Sequence, residues 1–486
     1  MEKALLGIDI GTTSVKALLI CAQTGVTLEK VKIPYQSFRP QAGWVEQDPD
    51  DWTRAIAAAW KKILASHPNR TLMSIGICSQ VNTHLLVDKE SKPLTPAITW
   101  KDLRCAKIAS ELDSSITEIE RIKLWGGPFK IDASFSLSRI KWWQENSAAE
   151  FSNASAIMLP KDYVISVICG VQVADPLSAI GLADSNGDYL SDVLSMIDGA
   201  ERLCAPLADF NTVAGLTNGA LGLPLDIPVA VGTMDAWGNV YGSGLRDASF
   251  AMQISGTSEI VGILSKNSKP TPGIISFPAF HGRSLHAGPT QAGADALAWF
   301  AQLHSKNIEV VLDAAEAAPE SRVYFLPHLD GERAPHWNSN AQGVFIGLSR
   351  GTGFGEMARA VLEGVAFAAR QVLEGCEAAA ISKVDTIQIS GGGARSSYWN
   401  QIKANILQRQ INVLAELDTG ALGIAFVAAG LGRDDLEEWA ASQVKINSTI
   451  NPASDRKAYF DEKFEIYVDS YRALAGIFDR NSSLKK

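Results

Sequence analysis

The sequence predicts an α/β protein built in two related parts. Short apolar strands are followed by an amphipathic helix and a further strand, the order that makes an α/β layer. A Gly-Thr-hydroxyl turn between two apolar strands occurs near residue 11 and again near residue 256, close to half the chain apart, which suggests an internal duplication. A length of 486 residues leaves room for two or three domains at roughly 150 residues each.

The elements follow in order. Leu5 to Ile10 reads as an apolar strand, Gly11-Thr12-Thr13-Ser14 as a turn, and Val15 to Cys21 as the returning strand. Gln23-Thr24-Gly25 turns the chain into a third strand, Val26 to Pro34. Asp48 is placed to cap a helix, with Pro49 in its first turn and acidic residues at its positive end. That helix runs to about Ser66, and Met73 to Cys78 is the next strand. In the second part, Ser249 to Ser255 and Glu259 to Leu264 are strands joined by Gly256-Thr257-Ser258. Apolar residues at Met357, Val361, Val365, Ala368 and Val372 mark one face of a helix. Val384 to Ser390 is a strand, and Gly391-Gly392-Gly393 turns it into a helix with Ser397 as the cap. The boundary is expected at Tyr241-Gly242-Ser243-Gly244, a Gly/Ser stretch suited to a hinge, giving domains 1–244 and 245–486.

Composition excludes several classes. A net charge of −9 gives no general attraction for nucleic acid or anionic membranes, so neither is an expected partner and any phosphate must be gripped locally. No apolar run approaches the roughly 18 residues of a membrane span. The six cysteines stand singly, without zinc spacing, and read as reduced thiols of a cytoplasmic protein. With 46% apolar residues, large cores need no metal or disulfide staple.

Three segments could carry chemistry. Asp9 ends an apolar strand and is followed by Gly11, Thr12, Thr13 and Lys16; such a turn can cradle phosphate on its N–H groups while the carboxylate holds Mg²⁺. An ordinary hairpin whose Asp9 bonds its own turn is the plain alternative. The Gly256-Thr257-Ser258 turn offers a second phosphate grip. Gly391-Gly392-Gly393-Ala394 lets the backbone approach a flat or charged ligand at a helix start, or is simply a glycine-rich turn. Asp235 follows the apolar Val229–Val231 and Gly232, a position for a general base at a cleft floor or for a helix cap. There is no G-x-x-x-x-G-K-[ST] loop, which argues against P-loop chemistry, and no G-x-G-x-x-G fingerprint, which argues against a dehydrogenase. Trp142-Trp143 reads as packing rather than as a sugar platform.

These residues resemble the FGGY carbohydrate kinases, and most of all the xylulokinase branch. Gly343-Val344-Phe345-Ile346-Gly347-Leu348, continuing through Glu356-Met357 to Ala360-Val361-Leu362-Glu363, follows the family's C-terminal signature. Phe325 to Pro335 is similar to F-L-P-Y-L-x-G-E-R-x-P, and Glu46-Gln47-Asp48-Pro49 to W-x-E-Q-D-P. The resemblance implies two ribonuclease-H-like domains of the actin/hexokinase superfamily with a cleft between them. It implies ATP and Mg²⁺, with Asp9 linked to the metal, Thr12, Thr13, Gly256 and Thr257 to phosphate, Gly392, Gly393, Ala394 and Asn400 to adenosine, and Asp235 as the catalytic base. It also implies a small-molecule sugar or polyol as substrate, and the family's usual homodimer. Gln80, Val81, Asn82, Trp100, Asp102 and Ala236 fall where the family contacts its sugar. Xylulokinases usually read G-Q-M-H-G where this chain has Ser79-Gln80-Val81-Asn82-Thr83, and D-N where it has Asp235-Ala236. The expected reaction is therefore phosphorylation of a ketopentose such as xylulose, or of another ketose or a tetritol or pentitol. A non-catalytic actin-like protein binding nucleotide and sugar is the remote alternative.

Overall fold

In the computed structural model, which describes residues 2–125, 130–184 and 186–484, the chain divides into two compact units. The first comprises Met1–Gly244 together with Asp418–Val444, the second Leu245–Leu417 together with Lys445–Lys486. The break after Gly244 lies at the boundary read from the sequence. The segment 418–444 was expected in the second domain; it falls in the first, because its helix Thr419–Ala429 is apolar all round and packs on the first sheet.

The first sheet is built on β1 (Lys3–Ile10), β2 (Ser14–Cys21), β3 (Thr27–Pro34), β4 (Thr71–Ser79), β5 (Val213–Asn218), β6 (Leu225–Ala230) and the short β7 (Thr233–Met234). Their order is β3-β2-β1-β4-β6-β5, with β7 on β4. β1 pairs antiparallel with β2 and parallel with β4, β4 is parallel to β6 and β7, and β5 closes the edge antiparallel. The second sheet comprises β8 (Ala251–Ser255), β9 (Glu259–Ser265), β10 (Ile275–Ser276), β11 (Ser284–Pro289), β12 (Thr386–Ser390), β13 (Gln410–Leu414) and β14 (Ile446–Ile450). Its order is β10-β11-β9-β8-β12-β13-β14. Each unit thus starts with an antiparallel hairpin closed by a Gly-Thr turn, lays two strands parallel beside the first, and ends on an antiparallel edge. The repeated turn belongs to a repeated topology.

Local signals explain the helix starts. Asp48 caps the helix Pro49–Ser66, its side chain accepting the Asp50 N–H. The helix Ser397–Leu407 is capped one residue earlier than expected: Ser396 accepts the Trp399 N–H. Tyr241–Ser243 are not a loop. They end the helix Asp235–Ser243, and Gly244 caps it at φ 72°. The glycine of this stretch serves contact instead: a Cβ on Gly242 would lie 1.9 Å from the Thr419 carbonyl oxygen. Among the described residues no helix is long and apolar enough to cross a membrane.

Gly7, Gly76, Gly242 and Gly423 each bring backbone to backbone at this helix, where an added Cβ would lie about 2 Å from a carbonyl oxygen. Gly242→Ala should therefore lower stability by about 1–3 kcal/mol, the usual cost of overpacking. Urea unfolding of the variant beside wild type measures it; an unchanged midpoint would mean that the helices separate freely.

Candidate active site

The carboxyl ends of parallel strands are where α/β sheets place ligands, and the first unit gathers its acids there. Asp9, Cys78 and Thr233 stand level in register across β1, β4 and β7. One step further come the turn at Gly11, Gln80, whose N–H donates to Ile10 O at 2.9 Å, and Asp235 at the first turn of its helix.

Asp9 Oδ1 is buried and has no hydrogen-bond partner in the protein. Burial raises its carboxyl above the usual carboxylate value; Lys16 opposes this and Asp418 adds to it. Gly420 packs close to its other oxygen: a Cβ there would sit 3.2 Å from Asp9 Oδ2. A carboxylate oxygen without a protein partner fits Mg²⁺, which takes one or two carboxylates and completes its shell with water and phosphate oxygens. Among the described residues no three His, Cys, Asp or Glu side chains form a protein cage for a metal.

Lys16, expected at the phosphate, is held by an acid that sequence reasoning did not connect with it. Asp418 pairs with Lys16 at 3.0 Å and with Lys30 at 2.8 Å. Burial would raise the Asp418 carboxyl, but the two lysines outweigh it and hold it below the usual value. Asp235 has the opposite fate. Burial, joined by the charge of Asp9, pushes its carboxyl up to about 7, while the Ala236 N–H at 2.8 Å opposes the shift. Asn239 ties the region together, donating to Asp235 O at 2.7 Å and accepting from Thr419 Oγ1 at 2.6 Å.

The two turns differ in length, but each is closed by the N–H of its glycine. Gly11 N–H closes the first on Ser14 O at 3.1 Å, and Gly256 N–H closes the second on Ser258 O at 3.0 Å. Both glycine donors are therefore engaged. Among the described residues, no protein acceptor takes the N–H of Thr12, Thr13, Thr257 or Ser258, so these are the donors left for an anion. Thr12 is fixed through its other atoms: its carbonyl accepts Gln47 Nε2 at 2.7 Å and its hydroxyl accepts Trp100 Nε1 at 3.1 Å. Gln47 is the hub that sequence reasoning missed as a functional residue. It is buried, and its Oε1 also accepts Gln80 Nε2 at 2.8 Å and Trp52 Nε1 at 3.2 Å. Its place in the Glu46-Gln47-Asp48-Pro49 match was the available signal.

The expected sugar-contacting set divides. Gln80 Oε1 and Asn82 Oδ1 are buried acceptors without partners. Asn82 holds φ 56° and donates to Ser134 Oγ at 3.1 Å. Val81, Trp100 and Ala236 are partly buried. Asp102 is not available to a ligand. It is fully buried, and its oxygens take the Val45 N–H at 2.6 Å, Arg104 at 2.7 and 2.9 Å, and Arg139 at 3.4 Å. Asp102 instead orients Arg104, whose guanidinium lies 3.6 Å from the centre of the Trp44 ring and 5.1 Å from that of Trp142. Trp143 is buried in the core.

In the second unit the adenosine set also divides. Gly391 (φ 85°) and Gly393 are glycines because Ser255 lies against them: a Cβ would come within 2.4 Å of Ser255 O and 2.2 Å of Ser255 Oγ, respectively. Only Gly392 faces open space. Ala394 is buried, and Asn400 is buried beneath it, donating to Ala394 O at 2.7 Å while its Oδ1 lacks a partner.

Comparison with known proteins adds the following. The model of the FGGY family of carbohydrate kinases, N-terminal domain, matches residues 4–242, and that of its C-terminal domain matches 251–430. A xylulose kinase of Klebsiella pneumoniae is 32% identical, covering 96% of this chain and 99% of that protein. Among solved structures, one titled as a xyloylose kinase from Brucella ovis is similar at TM-score 0.88 and 27% identity, covering 98% of this chain and 100% of that one. A gluconate kinase from Lactobacillus acidophilus is similar at TM-score 0.89 and 25% identity, covering 99% and 100%.

The Asp235 carboxyl binds its proton more tightly in the folded chain (about 7) than at its ordinary 3.8. Its contribution to stability is therefore complete below that lower value and is lost as pH rises to about 7. Asp235→Asn should gain on wild type by about 2–4 kcal/mol between pH 4.5 and pH 8. Denaturant unfolding of both proteins at the two pH values tests it; a pH-independent difference would show an ordinary carboxylate.

Proposed function

The chain belongs to the FGGY family of carbohydrate kinases, and from that premise we propose that it phosphorylates a primary hydroxyl of a small ketose, xylulose first, with ATP as donor. The chain is a sugar kinase; the donor, the sugar and the residue roles are our reading. What supports it most is the position of Asp235, two residues past the strand position level with Asp9, at the strand ends that also carry an Asp9 oxygen without a protein partner and a turn with free N–H donors; burial pushes the Asp235 carboxyl up to about 7.

In this reading the acceptor hydroxyl lies against Asp235, whose raised proton affinity suits it to take the hydroxyl proton near neutral pH. The turn at Thr12 and Thr13 offers N–H groups to phosphate oxygens, and the turn at Thr257 and Ser258 has the same capacity. Gln47 and Trp100 hold the first of these turns rigid. Gly392 gives adenosine an open backbone surface, with Gly393, Ala394 and Asn400 supporting it from beneath. Asp9 would hold Mg²⁺, which when bound would supply charge neutralisation at the phosphate oxygens. Phosphoryl transfer passes through a loose transition state, so positioning and charge stabilisation supply most of the acceleration.

A second ketose or a polyol remains in view for a specific reason. Asn82 and Ala236 replace the histidine and asparagine that resemblance to xylulokinases leads one to expect. Gln80 Oε1, Asn82 Oδ1 and the Asp235 carboxylate are acceptors, which suit a row of sugar hydroxyls. The six free cysteines fit a reducing cytoplasm, and a homodimer is the assembly we expect.

An ADP-release assay over pentuloses, hexuloses, aldoses, tetritols, pentitols and gluconate identifies the acceptor. Xylulose is expected to lead, a different leader corrects the sugar, and silence across the panel refutes the kinase reading. Asp235→Asn should lower kcat by about 10²–10⁴-fold while ADP binds as in wild type. Near-normal turnover by that variant would remove Asp235 from the role of base.

A further inference from the structure

The strands flanking the Gly256-Thr257-Ser258 turn end on buried polar groups that the proposed reaction does not touch. Glu259, the residue after the turn, is fully buried. Its Oε1 accepts from Ser255 Oγ at 2.7 Å and from Lys403 Nζ at 2.9 Å, and its Oε2 accepts from Gln253 Nε2 at 2.8 Å. Lys403, also fully buried, donates in addition to Ser255 Oγ at 2.6 Å, and its ammonium lies 4.3 Å from the centre of the Trp399 ring.

Such a pair is an expensive way to hold a core together. Both ions lose their water, and well-packed apolar residues of similar volume often serve stability as well or better. What the pair supplies is position. Displacing one element relative to the other by an ångström would leave a carboxylate and an ammonium unpaired in an apolar interior, a steep penalty.

The elements so fixed are two. Ser255 and Glu259 are the residues on either side of the phosphate turn. Lys403 lies one helical turn beyond Asn400, in the helix that follows the triple glycine. Gly391 and Gly393 rest on the same Ser255 that closes the network.

We propose that the Lys403–Glu259 pair is a positioning device that sets the distance between the phosphate turn and the adenosine segment, so that nucleotide affinity depends on it and sugar affinity does not. The inference rests on the nucleotide reading of those two segments given above. Neither residue is a catalytic residue; both act through Ser255 and the backbone of the turn.

Lys403→Met alone strands the Glu259 carboxylate and is expected to melt well below wild type. The paired variant K403M/E259Q removes both charges at nearly constant volume and is the one to assay. Three measurements on the full chain suffice: the melting curve, the Kd for ADP by calorimetry, and KM for ATP against KM for the acceptor selected by the panel. The expected result is a cooperative melt with ADP affinity and KM for ATP each weakened about tenfold, and acceptor KM within about twofold of wild type. ADP affinity like that of wild type in the folded paired variant would overturn the inference and leave the nucleotide reading standing. Acceptor KM rising in step with KM for ATP would overturn it as well, as a sign of general loosening. Failure of wild type itself to bind ADP would refute the nucleotide reading and this inference with it.

Discussion

A helix with no polar face can exist only where everything around it is covered, and in the first unit that requirement falls on Thr419–Ala429. Every residue from Thr419 to Ala428 is buried. Coverage is achieved by bringing backbones together, and glycine is what allows it: Gly7 on β1 and Gly76 on β4 meet the carbonyls of Ala421 and Ile424, Gly242 meets that of Thr419, and Gly423 meets that of Gly238. A side chain at any of these four positions would push the helix away. The consequence reaches the site directly. Asp418, at the head of this helix, arrives beside Lys16 and Lys30, and Gly420 arrives beside Asp9. A segment more than 400 residues along the chain therefore sets the charge environment of a turn near its start.

That environment separates three acids by their neighbours. Asp418 has two lysines and stays ionised; Asp9 and Asp235 are pushed toward the neutral form by burial, and for each a neighbouring carboxylate adds to the effect. Environments that drive titratable groups apart let neighbouring acids hold different protonation states. Lys16, committed to Asp418, buffers the pair without neutralising either member.

Local patterning made the hairpin, the Gly-Thr turns and the repeated topology legible, because each is written in a handful of adjacent residues. What stayed hidden depends on partners distant in sequence. Asp418 could not be linked to Lys16 without knowing that residues 418–444 return to the first unit. Asp102 was expected at the sugar because it falls where the family contacts its substrate, and only folding shows Arg104 and Arg139 closing over it. Tyr241–Gly244 illustrates a deeper ambiguity. Small residues permit a bend, and they equally permit two helices to touch; the sequence is the same for both, and here it is the second. The triple glycine divides in the same way, two positions explained by Ser255 and one by open space.

The two Gly-Thr turns also show how far a duplicated structure can diverge while its topology is kept: the first lies between the paired Ile10 and Val15, the second, one residue shorter, between the paired Ser255 and Glu259. Two residues before the first glycine stands Asp9; two before the second stands Ile254. Each turn uses its glycine N–H to close itself and presents the next two N–H groups, so the capacity to hold an anion is common to both. The carboxylate is not, and with it goes the electrostatic pressure on a neighbouring acid. In the second unit the charges lie instead beneath the turn, sealed as Lys403 and Glu259. Turns of like sequence can therefore stand in unequal surroundings: the first has Asp9 two residues before its glycine, and the second has the Lys403–Glu259 ion pair buried beneath it.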